Sequence, residues 1–175
     1  MPSEGPIVER ALVKIEESDL RRLAELARDD REDLFSRIPR WRRLYADRLL
    51  CVTLCQGAAL HYWDGTNGVK DLDVWTFYAN NPELPFNPRR IRRVDFGTSH
   101  LGRHPNDPEF AGRAVDLLGR SLRCLVGTDP ILAVRAYLSE GQSESARRLA
   151  QKAVVMLDPP QLRGQVIWAV GRPVH

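Results

Sequence analysis

The stretch Leu54 to Phe77, LCQGAALHYWDGTNGVKDLDVWTF, constrains the fold more than any other part of the chain. It joins an apolar segment, a turn of small residues, a short helix and a second apolar segment that carries Asp71 and Asp73. Side chains at i and i+2 of a strand share a face, so this spacing predicts two carboxylates side by side, with Leu72 and Val74 turned to the core. Like charges that close repel unless a cation lies between them, and hard oxygen donors of this kind suit Mg²⁺. Gln56-Gly57-Ala58-Ala59 supplies small residues where backbone amides at a helix start can approach a phosphate. Asp64-Gly65-Thr66-Asn67-Gly68 is a strong turn signal that returns the chain to the aspartate strand, expected over residues 69–78.

Around this unit the pattern predicts helices and further strands. Ser18 is a candidate N-cap, with Leu20, Leu23, Leu26 and Ala27 at helical spacing to about Arg28. Asp29, Asp30, Glu32 and Asp33 open a second helix toward Ile38, and Trp41, Leu44, Tyr45 and Arg48 mark a third. Leu49 to Cys55 reads either as a buried strand or as the end of that third helix, because short apolar runs do not discriminate by period. Residues 80–88 form a proline-rich loop. Arg89 to Phe96 and Gly112 to Leu118 are expected strands. Thr128-Asp129-Pro130 begins a helix that Gly141 ends. Ser143 or Ser145 caps another, in which Ala146, Leu149, Ala150, Ala153, Val154 and Leu157 recur before Pro159. Residues 165–170 supply a last strand. The expected fold class is α/β, a small mixed sheet of four or five strands flanked by helices. The chain reads as a single domain over 1–175, with a core at about 45–125 and a helical C-terminal part at 128–175.

Composition narrows the function classes. At 175 residues and 43% apolar content, the chain can bury one real core. It has no run of 18 apolar residues, and its N-terminus carries charges where a signal peptide needs an apolar region. A soluble, cytoplasmic protein with no membrane partner is therefore expected. Three cysteines, Cys51, Cys55 and Cys124, cannot all pair, and C-x₃-C without a second ligand pair favours buried thiols over a zinc site. The net charge of +3 is too modest to imply nucleic acid. Ser99 and His100 lack a G-x-S-x-G elbow that would make them a hydrolase pair, and His100 and His104 are expected in a polar loop. Trp41, Trp63, Trp75 and Trp168 are expected core or interface aromatics.

With these motifs in order, the chain resembles the nucleotidyltransferase-fold superfamily. Its signature is a Gly-rich turn and helix, then a strand with two acids separated by one apolar residue, then a third acid on a later strand. The matching positions are Leu54 to Leu60 for the turn and Lys70 to Val74 for the acid pair, and the turn is similar to that of the AbiEii-like toxin, or minimal nucleotidyltransferase, branch. The resemblance covers residues 45–120. It implies that Asp71 and Asp73 bind Mg²⁺ or Mn²⁺ and, with a third carboxylate, form the catalytic and metal site. It also implies that Gln56, Gly57, Ala58 and Lys70 contact the nucleotide. The implied activity is transfer of a nucleoside monophosphate from an NTP to a hydroxyl of an RNA, protein or small molecule, with a cognate antitoxin as an implied partner. Such transfer depends on charge neutralisation and in-line positioning more than on covalent chemistry.

Asp116 and Asp95 both qualify as the third acid, since each follows a valine on an expected strand. Asp116 is preferred. It lies in an apolar run where a charge is costly without a cation or partner, whereas Asp95 has arginine neighbours that could satisfy it. Lys70 either contacts phosphate or offsets the charge of its neighbours. Where the superfamily turn carries a second Gly and a hydroxyl residue, this chain has Gln56-Gly57-Ala58, so phosphate contact there falls to the backbone. A non-catalytic domain that binds a nucleotide, nucleic acid or partner protein is the alternative reading.

Overall fold

A computed structural model describes residues 5–88 and 92–171. The sequence of elements is α1 (Glu17–Arg37), α2 (Pro39–Tyr45), β1 (Leu49–Cys55), α3 (Gln56–Asp64), β2 (Leu72–Ala79), β3 (Arg92–Asp95), β4 (Ala114–Leu122), α4 (Pro130–Glu140), α5 (Glu144–Leu149), β5 (Ala153–Asp158) and β6 (Val166–Ala169), with a 3₁₀ turn at Pro160–Leu162. The strands form one six-stranded sheet in the order β3-β4-β2-β1-β5-β6. β2 and β4 run parallel and every other neighbouring pair is antiparallel. The fold is thus mixed α/β, as the alternation of apolar runs and helical periods predicts.

Period-2 alternation sorts the sheet into two apolar faces. Leu72 and Val74 of β2, Val52 and Leu54 of β1, and Val115 and Leu117 of β4 pack with Leu20, Leu23 and Ala27 of α1 and with Ala58 and Ala59 of α3. Residues one step along, Phe77, Cys51, Cys55, Leu122, Val154 and Met156, pack instead against Ala133, Val134 and Leu138 of α4 and Leu149 of α5. Each fully buried Leu, Val or Phe contributes roughly 1.5–3 kcal/mol relative to exposure, so both faces are needed to hold the central strands. Tyr45, Tyr78, Phe86 and Trp41 form an aromatic cluster at the α2 end, with Tyr78 and Phe86 centroids 4.4 Å apart.

Several expectations change. Glu17–Arg37 is one helix where two were expected: Asp30 and Asp33, three apart on one helix face, both accept from Arg92 of β3 at 2.9 Å, so these acids dock α1 instead of starting a new helix. Its N-cap is Glu16, not Ser18, and the Asp19 carboxylate accepts from the Glu16 amide at 2.8 Å. Leu49 to Cys55 is a strand. The aspartate strand starts at Leu72, which leaves Asp71 just before it. The largest correction concerns the C-terminal part. Ala153 to Asp158 is a strand paired with β1, so the helix capped by Ser143 ends at Leu149 and the sheet has six strands. A run such as Ala153-Val154-Val155-Met156-Leu157, buried on both faces, matches a helical period by coincidence, and its paired valines favour a strand. Of the expected strand at 89–96, Arg92–Asp95 is β3, and residues 89–91 lie outside the described residues.

Two buried polar side chains secure the approach to β2. His61 of α3 accepts from the Gly68 amide at Nδ1 and bonds the Val13 carbonyl through Nε2, both at 2.9 Å, so it is a neutral ring with its proton on Nε2. Arg113 is completely buried. Its guanidinium donates to the carbonyls of Leu101, Glu9, Lys70 and Val8 at 2.8–3.3 Å, and burial lowers its pKa from the usual arginine value. It ties the segment before α1 to the residue that precedes Asp71.

Candidate functional site

One rung of the ladder crosses the entire sheet. Arg93 of β3 pairs with Asp116 of β4, Asp116 with Asp73 of β2, Asp73 with Cys55 of β1, Cys55 with Val154 of β5, and Val154 with Trp168 of β6. Partners on one rung project to the same face, here the face under α5. The parallel pairing of β2 and β4 therefore sets two carboxylates next to each other on interior strands. Both carboxylates lie near the starts of their strands.

The electrostatics follow from this rung. Burial, and then the charges of Asp71 and Asp116, push the Asp73 carboxyl up to about 7, with Lys152 and Arg93 opposing the rise. Lys152 opposes the rise at Asp73 more than Arg93 does, and Arg93 compensates the other acids directly. Its Nε donates to Asp116 Oδ1 at 3.0 Å, its Nη2 lies 3.6 Å from Asp71 Oδ2, and its Nη1 lies 3.5 Å from Asp107 Oδ1. The hydrogen bond to Asp116 raises the pKa of Arg93 further. Asp71, Asp73 and Asp116 are thus brought together, but Arg93 spans two of them. Among the described residues, no three His, Cys, Asp or Glu side chains stand ready-grouped around a metal position.

Asp73 and Asp116 open into a cleft of about 230 Å³ whose other walls include Gln56, Trp75, Ser145 and Arg148. Gln56 stands at the β1–α3 turn with φ of 64°, a left-handed conformation that costs a side-chain-bearing residue about 1–2 kcal/mol. The turn is also tightly packed. A Cβ on Gly57 would fall 2.8 Å from Asn67 Nδ2, which donates to the Gly57 carbonyl at 3.0 Å, and 3.7 Å from Lys152 Nζ. Ala58 does not line the cleft; its side chain is buried in the core beneath α3. A hydroxyl there would point into the core and not into the cleft. Lys70 is exposed, and its carbonyl is an acceptor for Arg113.

Asp95 stands apart from the other acids. It accepts from the amides of Gly97, Ala111 and Gly112 at 2.7–2.9 Å and ties two loops together. The expectation that arginines satisfy Asp95 is therefore corrected: backbone amides do so, and the nearby arginine serves Asp116. Cys51, Cys55 and Cys124 are free. Burial pushes the Cys55 thiol up to about 12, so it is a neutral, buried neighbour of Asp73 on the rung. His100 bonds the Lys14 carbonyl at 2.9 Å, and His104 is buried with Nδ1 accepting from the Asn106 amide.

Lys152 and Arg148 escape the sequence reading, and so does the pairing of Arg93, on a strand expected to be basic, with Asp116. Lys152 and Arg148 fall within the stretch read as one helix, and recognising 153–157 as a strand would have put Lys152 beside its start. Arg93 needs the β3–β4 register, which no local motif specifies. No family model, curated protein or solved structure matches the chain.

Proposed function

We propose that the chain is a Mg²⁺-dependent nucleotidyltransferase that moves a nucleoside monophosphate from an NTP to a hydroxyl acceptor. The observation that carries this reading is the registered Asp73–Asp116 pair, with Asp71 beside it and the first turn of a helix at the cleft. The donor set fits a divalent cation in kind: three carboxylates supply hard oxygens only, and burial, with the neighbouring charges of Asp71 and Asp116, pushes the Asp73 carboxyl up to about 7. Asp71, Asp73 and Asp116 would hold the ion. When bound, it would neutralise the phosphates and polarise the reacting phosphorus centre.

The chain's own groups have defined tasks in this reading. Lys152 and Arg148 supply positive charge on the side of the cleft opposite Arg93, where an NTP triphosphate would need it. The α3 start offers backbone amides and the positive end of a helix dipole. Asp116 is the carboxylate that would accept the proton of the attacking hydroxyl. The test is Mg²⁺-dependent binding and transfer of a labelled NTP by the parent, Asp71→Asn, Asp73→Asn and Asp116→Asn chains. Transfer that survives in the variants would overturn the reading.

Arg93 favours a second reading. A guanidinium between Asp116 and Asp71 supplies from within the chain much of the charge that a metal would bring. A non-catalytic domain would retain that arrangement permanently, transfer no label and show no Mg²⁺ dependence in ligand binding.

A further inference from the structure

A second and larger cavity, of about 430 Å³, lies further along β4, between the end of that strand, the 85–87 loop and α4. Its volume is in the range of small-molecule sites. Leu122, Phe86, Leu132 and Ala136 give it apolar walls, and Leu132 is an exposed large hydrophobe at the rim. The walls are braced: Ser121 Oγ accepts from the Phe86 amide at 2.9 Å and donates to Asn80 Oδ1 at 2.8 Å.

Three charged residues line this cavity: Arg120, half-buried, and Arg123 and Glu140, both exposed, which leaves the lining with a net positive charge. Arg120 Nη1 donates to Tyr137 Oη and to Ser143 Oγ, both at 2.9 Å. Both partners are neutral hydroxyls, and Ser143 is itself fixed as the N-cap of α5. Among the described residues no carboxylate forms an ion pair with Arg120. One nitrogen is thus used to orient the guanidinium, which leaves N–H groups and an unneutralised charge for a planar anion.

We propose that this cavity binds a small organic monoanion with an apolar body, its carboxylate held by Arg120 and its body between Phe86 and α4. A neutral apolar ligand would leave the Arg120 charge unanswered, and a free phosphate would leave the walls unfilled. The site is independent of the carboxylate cleft, so it binds without Mg²⁺ or NTP.

The test uses the fluorescence of 8-anilinonaphthalene-1-sulfonate with the full chain, with displacement by 4-phenylbutyrate, 4-phenylbutanol or inorganic phosphate. The expected result is a saturable signal that 4-phenylbutyrate displaces roughly tenfold or more better than its alcohol, and that phosphate does not displace. Arg120→Met is expected to erase the preference of acid over alcohol. Ala136→Trp, on the accessible side of α4, fills the cavity without touching the guanidinium and is expected to abolish displaceable binding. Equal displacement by acid and alcohol, displacement by phosphate, an acid preference that persists in Arg120→Met, or unchanged binding in Ala136→Trp would each overturn the proposal. Circular dichroism verifies that each variant is folded.

Discussion

Asp73 and Asp116 are direct register partners on neighbouring parallel strands, and Arg93 flanks the pair on the β3 side. The arrangement concentrates negative charge on a half-buried rung and compensates it from one side more than the other. Its consequences for stability, cation binding and turn geometry can be separated by measurement.

Asp73 makes stability depend on pH in a definite direction. Its carboxyl titrates at about 7 in the folded chain against 3.8 for the free group. The unfolded chain therefore gives up this proton near pH 4 while the folded chain holds it, and folding is penalised progressively as pH rises from about 4 to about 7. At 1.36 kcal/mol per pKa unit, the penalty approaches about 4 kcal/mol above pH 7. Asp73→Asn should be more stable than the parent at pH 8 by up to that amount, and the two should converge at pH 4. Urea unfolding at both pH values measures this, and a pH-independent difference would contradict it.

Arg93 competes with any cation for the same carboxylates. Arg93→Met should tighten Mg²⁺ or Mn²⁺ binding roughly tenfold, because it removes a positive charge 3.0–3.6 Å from Asp116 and Asp71. Calorimetric titration gives the result. Weaker binding would mean that Arg93 orients the carboxylates and does not block them.

Asp116 and Asp95 should separate cleanly. Asp95→Ala leaves three backbone amides without their acceptor and should cost about 2–4 kcal/mol of stability while divalent binding persists in the folded fraction. Asp116→Asn should keep most of the stability and reduce divalent affinity by more than the roughly 10- to 100-fold typical of outer-shell partners. Thermal unfolding and metal titration on the same two proteins decide the matter.

Gln56 carries a conformational cost at the mouth of the cleft. Gln56→Gly relieves its left-handed backbone and should stabilise the chain by about 1 kcal/mol. A destabilised variant in thermal unfolding would mean that the Gln56 side chain contributes contacts that outweigh the strain.

What the sequence reveals here follows the range of the interactions involved. The short apolar run of β1 fits a strand and a helix end equally until its pairing is seen, whereas the α3–β2 part is legible because its turns, small residues and alternation are local. The Asp129 and Ser143 caps are legible for the same reason; their side chains accept from the amides of Leu132 and Ala146. The Asp116 side chain can be singled out because a lone acid in an apolar run needs a partner, but the partner itself, Arg93, is set by strand register. The helix expected through Leu157 fails because a strand buried on both faces has no polar alternation to betray it. Lys152 was lost with it.

Arg113 gives the molecule a mechanical property that no single element has. By gripping the carbonyls of Val8, Glu9, Lys70 and Leu101 with one guanidinium, it couples chain segments about 100 positions apart into one cooperative unit that ends one residue from Asp71. Amide protons in these segments should exchange with solvent together, and loosening the stretch before α1 should be felt at the carboxylate rung before it is felt anywhere else in the sheet.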